Sequence, residues 1–341
     1  MGSNSLNLQQ GAFTNLSAQT ILAALVAAGF GTSGKIYYVD AVNGNDVNNG
    51  TAPLSVSPGV GAFQTLAQGY AALNSGENDV LVMIGSGTTA GSQRLTATFT
   101  WAKNAAHLVG ICSGSQFSQR SRIAPAIAPA ATAFTPLFTV SGNGCYFANI
   151  EFFHGFNTGT TAQICMNITG SRNVFNNCQL SGMGDAASAA DAGSRSIVIT
   201  SGENYFKHCV IGLDTVARSA LNSSVEIQSA APRNVFEDCV FPAIASAAST
   251  TLMFLAAAAA SIGTMTIFKR CLFYNCSTFN GGAAVAGLFK LVASAGGAIL
   301  LQDCTEYGYT DWGYDAASKA QILVSGPVPT SSTSGIAVVN T

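Results

Sequence analysis

"NVFEDCVF" occupies residues 234–241, "NYFKHCVI" residues 204–211 and "NVFNNCQL" residues 173–180. The phrase keeps an asparagine, an aromatic ring and a cysteine, while the two residues before the cysteine change freely. Looser copies stand at 145–152 ("CYFANIEF"), 266–273 ("TIFKRCLF") and 299–306 ("ILLQDCTE"). Cys178, Cys209, Cys239, Cys271 and Cys304 follow one another by 31, 30, 32 and 33 residues. A second strand-like phrase precedes each copy, as in "ICMNITGS", "SIVITSGE" and "SVEIQSAA". Several of these alternate apolar and polar residues and then stop at a turn.

A repeat of this length, with short strands and no amphipathic helix, points to a β-solenoid. One turn cannot bury its apolar face alone; stacked turns make parallel sheets around a continuous core. With rungs about 4.8 Å apart, about eight rungs are expected. The opening pattern then has a physical reading. Phe236 and Cys239 flank a corner and point inward, where each residue must match those above and below. Glu237 and Asp238 form the corner and need only be polar.

The corner pairs Asn176-Asn177, Lys207-His208, Glu237-Asp238, Lys269-Arg270 and Gln302-Asp303 are polar in every copy. Their charges alternate along the rod, which favours one register over a slip by one rung. Asn173, Asn204 and Asn234 are expected to form a second ladder, and Cys178, Cys209, Cys239, Cys271 and Cys304 an interior stack of reduced thiols.

The 341 residues carry a net charge of -2, and only 9% are charged, against about 25% in an average soluble protein. That balance offers nothing to nucleic acid or to an acidic membrane surface. A surface so poor in charge suits a chain inside an assembly. No apolar run approaches the roughly 20 residues of a membrane-spanning helix. Without Lys or Arg before Lys35, a secretory signal is not expected. Nine cysteines, with no CxxC pair, fit neither a disulfide framework nor a zinc ribbon.

Residues 1–35 read as an N-terminal arm and capping helix, and 36–341 as the solenoid with its lateral loops. Ser17 can cap a helix whose stripe is Ile21, Leu22, Leu25 and Val26 and which Gly29 ends. Such a helix would cover the open end of the rod. Leu6, Leu8, Phe13 and Leu16 lie on a segment that can grip a neighbour.

Residues 36–87, from "IYYVDAVNGNDVNNGTAPL" through "GAFQTLAQGYAAL" to "DVLVMIGSG", resemble the opening of right-handed parallel β-helix proteins of the pectate-lyase-like superfamily. They share its Tyr-Val-Asp strand, Gly-Asn-Asp turn, Asn-x-Gly bend and Phe-x-Thr helix start. The resemblance implies an all-β, right-handed, single-stranded parallel β-helix. Enzymes, adhesins and virus proteins share this opening. Within the superfamily, the low charge and Ala/Ser/Thr/Gly-rich loops look like bacteriophage virion proteins. The reading this implies is a structural capsid decoration or spike protein, homotrimeric, made in the bacterial cytoplasm and bound to the major capsid protein or other virion proteins. The alternative is a tailspike-like receptor binder or polysaccharide-degrading protein with a host glycan as its partner. A free β-helix enzyme is the third reading.

Candidate sites are few. Asp40, Asn43, Asn45 and Asp46 are oxygen-rich and could hold Ca²⁺, or could instead tie an Asx-turn network. A glycosidase needs two carboxylates about 5–10 Å apart on one sugar. Glu237 and Asp238 diverge at a corner, and Glu151, Glu226, Asp185, Asp191 and Asp214 form no evident pair. Arg195, Arg218 and Arg233 read as loop or turn residues. His107, His154 and His208 lack metal spacing. No catalytic residues and no cofactor are therefore assigned. Tyr307, Tyr309, Trp312 and Tyr314 make an aromatic-rich loop that is read as an interface, against the simpler reading of a loop packed on the last rungs.

Overall fold

The computed structural model describes residues 34–111, 121–126, 134–155, 162–246, 251–277 and 285–325. The arm and the capping helix placed before residue 34, with Leu6, Leu8, Phe13 and Leu16, lie outside them.

Three parallel sheets form the walls of a right-handed solenoid. In chain order within a turn they are sheet A with seven strands, sheet B with ten and sheet C with nine. A typical turn runs from Arg195–Ile199 in sheet A through Tyr205–Lys207 in sheet B to Val210–Ile211 in sheet C. Six regular turns run from Phe138–Val140 to Thr305–Tyr307, with looser ones at both ends. The repeat leads to an expectation of about eight rungs. The first rungs differ because the helix Leu66–Ala72 stands between Ile36–Asp40 and Val80–Ile84, where a sheet A strand would run.

That helix starts where the Phe-x-Thr phrase places it. Thr65 Oγ1 accepts the Gln68 N–H at 3.2 Å, an N-cap bond. The helix lies over the first turn, with Leu66 buried. Gly69 is required there, because a Cβ would stand 2.7 Å from the Leu81 side chain. Gln93, at the head of the interior row of sheet C, accepts the Leu66 N–H at 2.8 Å and donates to Gln64 O at 3.0 Å. The amide thus bridges the end of the stack to the helix.

The core follows the repeat. Phe147, Phe175, Phe206, Phe236 and Phe268 stack one per turn, with ring centroids 5.0, 4.8, 4.6 and 4.7 Å apart and planes within 9° of parallel. The rung spacing of a parallel sheet matches offset ring stacking, so one geometry serves backbone and side chains together. Each cysteine of the phrase lies beside this column and donates its S–H to the phenylalanine carbonyl one turn earlier: Cys178 to Phe147, Cys209 to Phe175, Cys239 to Phe206, Cys271 to Phe236 and Cys304 to Phe268, all at 3.3–3.4 Å. All eight cysteines among the described residues are free thiols.

The corner has a backbone signature. Asn149, Asn177, His208, Asp238, Arg270 and Asp303, the second corner residues, all have φ between 49° and 57°. Left-handed backbone costs a non-glycine residue about 1–2 kcal/mol. In return, the Asn177, His208, Asp238 and Arg270 N–H groups reach the next turn, donating to Lys207 O, Glu237 O, Lys269 O and Gln302 O at 2.8–3.0 Å. The asparagine ladder is real but built differently from an amide-to-amide chain. Asn204 Oδ1 accepts the Asn173 backbone N–H, and Asn234 Oδ1 the Asn204 N–H, both at 3.0 Å. Asn173 Oδ1 accepts the Cys145 N–H at 2.8 Å. Side-chain oxygens thus replace strand partners where the chain bends.

Candidate functional site

The oxygen-rich turn is an Asx network. Asp40 Oδ1 accepts the Val42 and Asn43 N–H groups at 2.8 and 3.0 Å, and Asn43 Nδ2 donates to Asp40 Oδ2. Asn45 Oδ1 accepts the Val47 N–H. Asp46 accepts the Gln64 and Thr65 N–H groups and the Thr65 hydroxyl at 2.8–2.9 Å. These oxygens hold the entry to the helix Leu66–Ala72 rather than converging on a cation. Among the described residues, no three His, Cys, Asp or Glu side chains gather as metal ligands.

The aromatic loop packs on the last rungs. Tyr309 is buried, and Val285 and Tyr309 form a parallel bridge. Trp312 packs edge-on against Phe273 at 6.1 Å. Tyr314 lies under the Lys290 ammonium at 4.8 Å. Only Tyr307 is exposed, at 49%. Tyr309 and Trp312 therefore serve the core, because the loop runs beside 285–289 and turns its rings inward.

Two arginines also depart from expectation. Arg218 ends the strand Leu213–Arg218 and is 2% exposed. Its guanidinium donates to Asn222 Oδ1 at 2.6 Å and to the Asn222 and Leu252 carbonyls at 2.8 Å. It is held by neutral acceptors, and burial pulls its pKa down to about 10. Arg195 heads a sheet A strand, where the preceding lateral loop enters.

The outer face of sheet A gathers the most developed polar cluster. Met166, Ile197 and Val225 pair in register and point into the core, so Asn167, Val198 and Glu226 point out. Glu226 Oε2 pairs with Arg195 Nε, and its Oε1 accepts Gln228 Nε2 at 2.7 Å. Arg195 Nη1 also donates to Ala192 O and Ser194 O at 2.7 Å, tying the strand to its loop. Side-chain exposures of 9% and 12% for Arg195 and Glu226 show that the pair is largely buried. Two strands away, Asn167 Oδ1 is buried and accepts no hydrogen bond from the described residues. An orphan acceptor there costs about 1–3 kcal/mol unless something fills it. The row offers donors and acceptors two rungs apart, about 10 Å along the rod. The spacing suits a hydroxyl-rich ligand lying along the sheet. Acid–base chemistry is poorly served, because both Glu226 oxygens are already bonded.

Other carboxylates are similarly committed. Glu151 is forked by Arg122 at 2.9 and 3.1 Å. Glu203 lies between Arg172 and Arg233. Glu237 is bonded by Tyr205 and Arg270, and Asp238 by Arg270 at 2.8 Å. Glu306 differs: its Oε2 is buried and unpartnered among the described residues, and burial raises its pKa. The contacts of Arg270 with Glu237 and Asp238 follow the alternating corner charges of the sequence, while the other ion pairs have a fainter trace there. That trace is an opposite charge one repeat away, as in Arg195 and Glu226, or Arg172 and Glu203.

No family model matches the chain, and no curated protein matches it. Among solved structures, a pectin methylesterase mutant in complex with a hexasaccharide superposes with a TM-score of 0.50 at 16% identity, covering 74% of this chain and 77% of that one. The pectin methylesterase from Erwinia chrysanthemi gives 0.50 at 13% identity, covering 82% and 80%. A pectate lyase gives 0.47 at 15% identity, covering 84% and 78%. At these identities the likeness is one of fold: the chain shares the parallel β-helix fold of these pectin methylesterases.

Proposed function

We propose that this β-helix recognises an extended polysaccharide along the outer face of sheet A. The observation that carries the reading is the polar cluster of Arg195, Glu226 and Gln228 on the sheet A wall, with Asn167 two strands away. Sugar hydroxyls both donate and accept, and they match such a mixed row better than a purely charged or purely apolar ligand would. A structural neighbour was solved with a hexasaccharide, which is compatible with this use of the fold. The carboxylate bonding favours holding a glycan over cleaving it.

Affinity electrophoresis against a panel of acidic and neutral polysaccharides tests the reading. At least one should retard the protein, and an Asn167→Ala/Gln228→Ala variant that keeps its unfolding midpoint should run freely. If no polysaccharide retards the protein, the reading fails. Size analysis of the recovered polymer separates a binder from an enzyme: shortened chains would make it a degrading protein.

A structural role in a phage particle is the second reading. It is favoured by the 9% charge and the small-residue lateral loops "MGDAASAADAG" and "GGAAVAG". These loops follow sheet C strands, and close backbone approach there would desolvate few charges. In this reading the chain is a homotrimer bound to the major capsid protein, with residues 1–16 as the gripping arm. Normal incorporation of a chain lacking residues 1–16, with solvent-exposed loops in the particle, would remove it.

A further inference from the structure

We propose that the outer face of sheet B pairs two copies of this chain about a two-fold axis parallel to the strands, passing between Asn234–Glu237 and Met265–Lys269. This association is independent of the polysaccharide reading, which uses sheet A.

The face carries two rows. Phe175, Phe206, Phe236, Phe268 and Leu301 point into the core, so the residues on either side of each point out. One outward row reads Val174, Tyr205, Val235, Ile267, Leu300 and Leu323, in continuous parallel register. It is wholly apolar apart from the tyrosine hydroxyl, and every member is half-buried rather than covered. The other row reads Asn176, Lys207, Glu237, Lys269, Gln302 and Ser325 in the same register. The lateral loops follow strands of sheet C, not of sheet B.

Two flat sheets can meet face to face in few ways. A two-fold along the solenoid axis would lay each apolar row on the other copy's charged row and bury lysines against aliphatic side chains. A two-fold along the strands keeps each row on its own kind and reverses the order of the rungs. Placed between the two strands named above, it sets Val235 on Ile267, Tyr205 on Leu300 and Val174 on Leu323 of the second copy. In the charged row it sets Glu237 opposite Lys269 and Lys207 opposite Gln302. Moving the axis onto the Glu237 strand would instead oppose Glu237 to itself and Lys207 to Lys269. The charge order therefore selects the axis. Six rungs span about 24 Å, a small interface of less than about 1,200 Å² in total. The dimer should therefore be weak and concentration-dependent.

Sedimentation equilibrium of the full chain over about 1–200 μM tests this, since weak complexes of this size populate that range. A monomer–dimer equilibrium is expected. Lys269→Glu alone and Glu237→Lys alone should each weaken self-association by roughly three- to thirty-fold, because each homodimer then opposes like charges twice. Mixing these two variants should restore the dimer as a heterodimer, in which both contacts are again opposite in sign. Rescue in trans cannot come from the neighbouring-rung contact within one chain. Gln302→Glu should tighten the dimer, because it gives Lys207 of the second copy a partner. A monomer throughout the range, a trimer, or two variants that fail to rescue each other while remaining folded would each overturn the proposal.

Discussion

The thiol of Cys239 donates its hydrogen to the carbonyl oxygen of Phe206, one full turn earlier, at 3.4 Å. The contact recurs in five successive turns, so the cysteine column is a hydrogen-bonded element of the core and not filler between rings. Burial pushes the Cys239 thiol well up, which leaves almost no thiolate for alkylation or disulfide exchange. Cys239→Ser should cost about 1–3 kcal/mol, because a more polar group with a shorter reach replaces the thiol in a dry site. Chemical denaturation under reducing conditions measures this. Mass spectrometry of the unreduced protein should find no Cys209–Cys239 or Cys239–Cys271 bridge.

Asn204 satisfies the backbone N–H of Asn173 in a fully buried position. Asn204→Ala should lower stability by roughly 1–3 kcal/mol, the usual cost of orphaning buried polar groups. Asn204→Asp should also destabilise, since it buries a charge. Hydrogen exchange offers the specific readout: protection of the Asn173 amide should fall more than that of amides two turns away.

Arg218 ties the end of its own strand to Asn222 and to the Leu252 carbonyl of the next turn. Arg218→Ala should destabilise by roughly 1–3 kcal/mol, the cost of leaving buried acceptors without a donor. Arg218→Lys should recover only part of this, because an ammonium cannot span three acceptors in a fork. Both are measurable as shifts in the urea midpoint at constant slope.

Two groups should give the protein a bounded pH range of stability. Burial lowers the pKa of His107 to about 4, and its Nδ1 accepts the Tyr146 N–H at 3.1 Å. Its unfolded value is near 6.5. Stability from the neutral ring is therefore present above about pH 6.5 and is lost as pH falls toward 4. Glu306 behaves in the opposite sense. Its folded pKa is raised by burial, so stability is greatest below its unfolded value, near 4.3, and falls as pH rises through the folded value. Glu306→Gln should stabilise the protein at pH 7 and flatten that limb, while His107→Phe should flatten the acid limb. Thermal midpoints from pH 4 to 8 check both.

Tyr205 and then Arg270 hold the Glu237 carboxyl below its ordinary range, and Arg270, forked onto Asp238, does the same there. These groups are partly exposed to solvent. Arg270→Ala should lower the unfolding midpoint only slightly at low salt and not at all at 1 M salt. An unchanged midpoint at low salt would mean that the charge order does nothing for register.

The repeat was legible because interior positions have neighbours one turn away that constrain them. The pattern alone assigns Phe236 and Cys239 inward and Glu237 and Asp238 to a corner. The start of the helix at Thr65 was legible for a local reason, its capping side chain. The left-handed second corner residue was less so: Asn, His, Asp and Arg all occupy it, and only the first three favour that region. Arg218 could not be placed, because the strand Leu213–Arg218 shifts register against Val240–Ala245. That irregularity turns a side chain expected in solvent toward the interior. The polar cluster around Glu226 leaves little trace in the sequence, since it depends on three strands that come together only when stacked.

The N–H bond from each left-handed corner to the following turn has a mechanical consequence. A pull applied to the C-terminal end loads one rung at a time, since every rung is fastened only to its immediate neighbours. The rod should part like a seam, one stitch per turn, yielding a sawtooth of force peaks separated by roughly the contour length of a 30-residue repeat, about 100 Å.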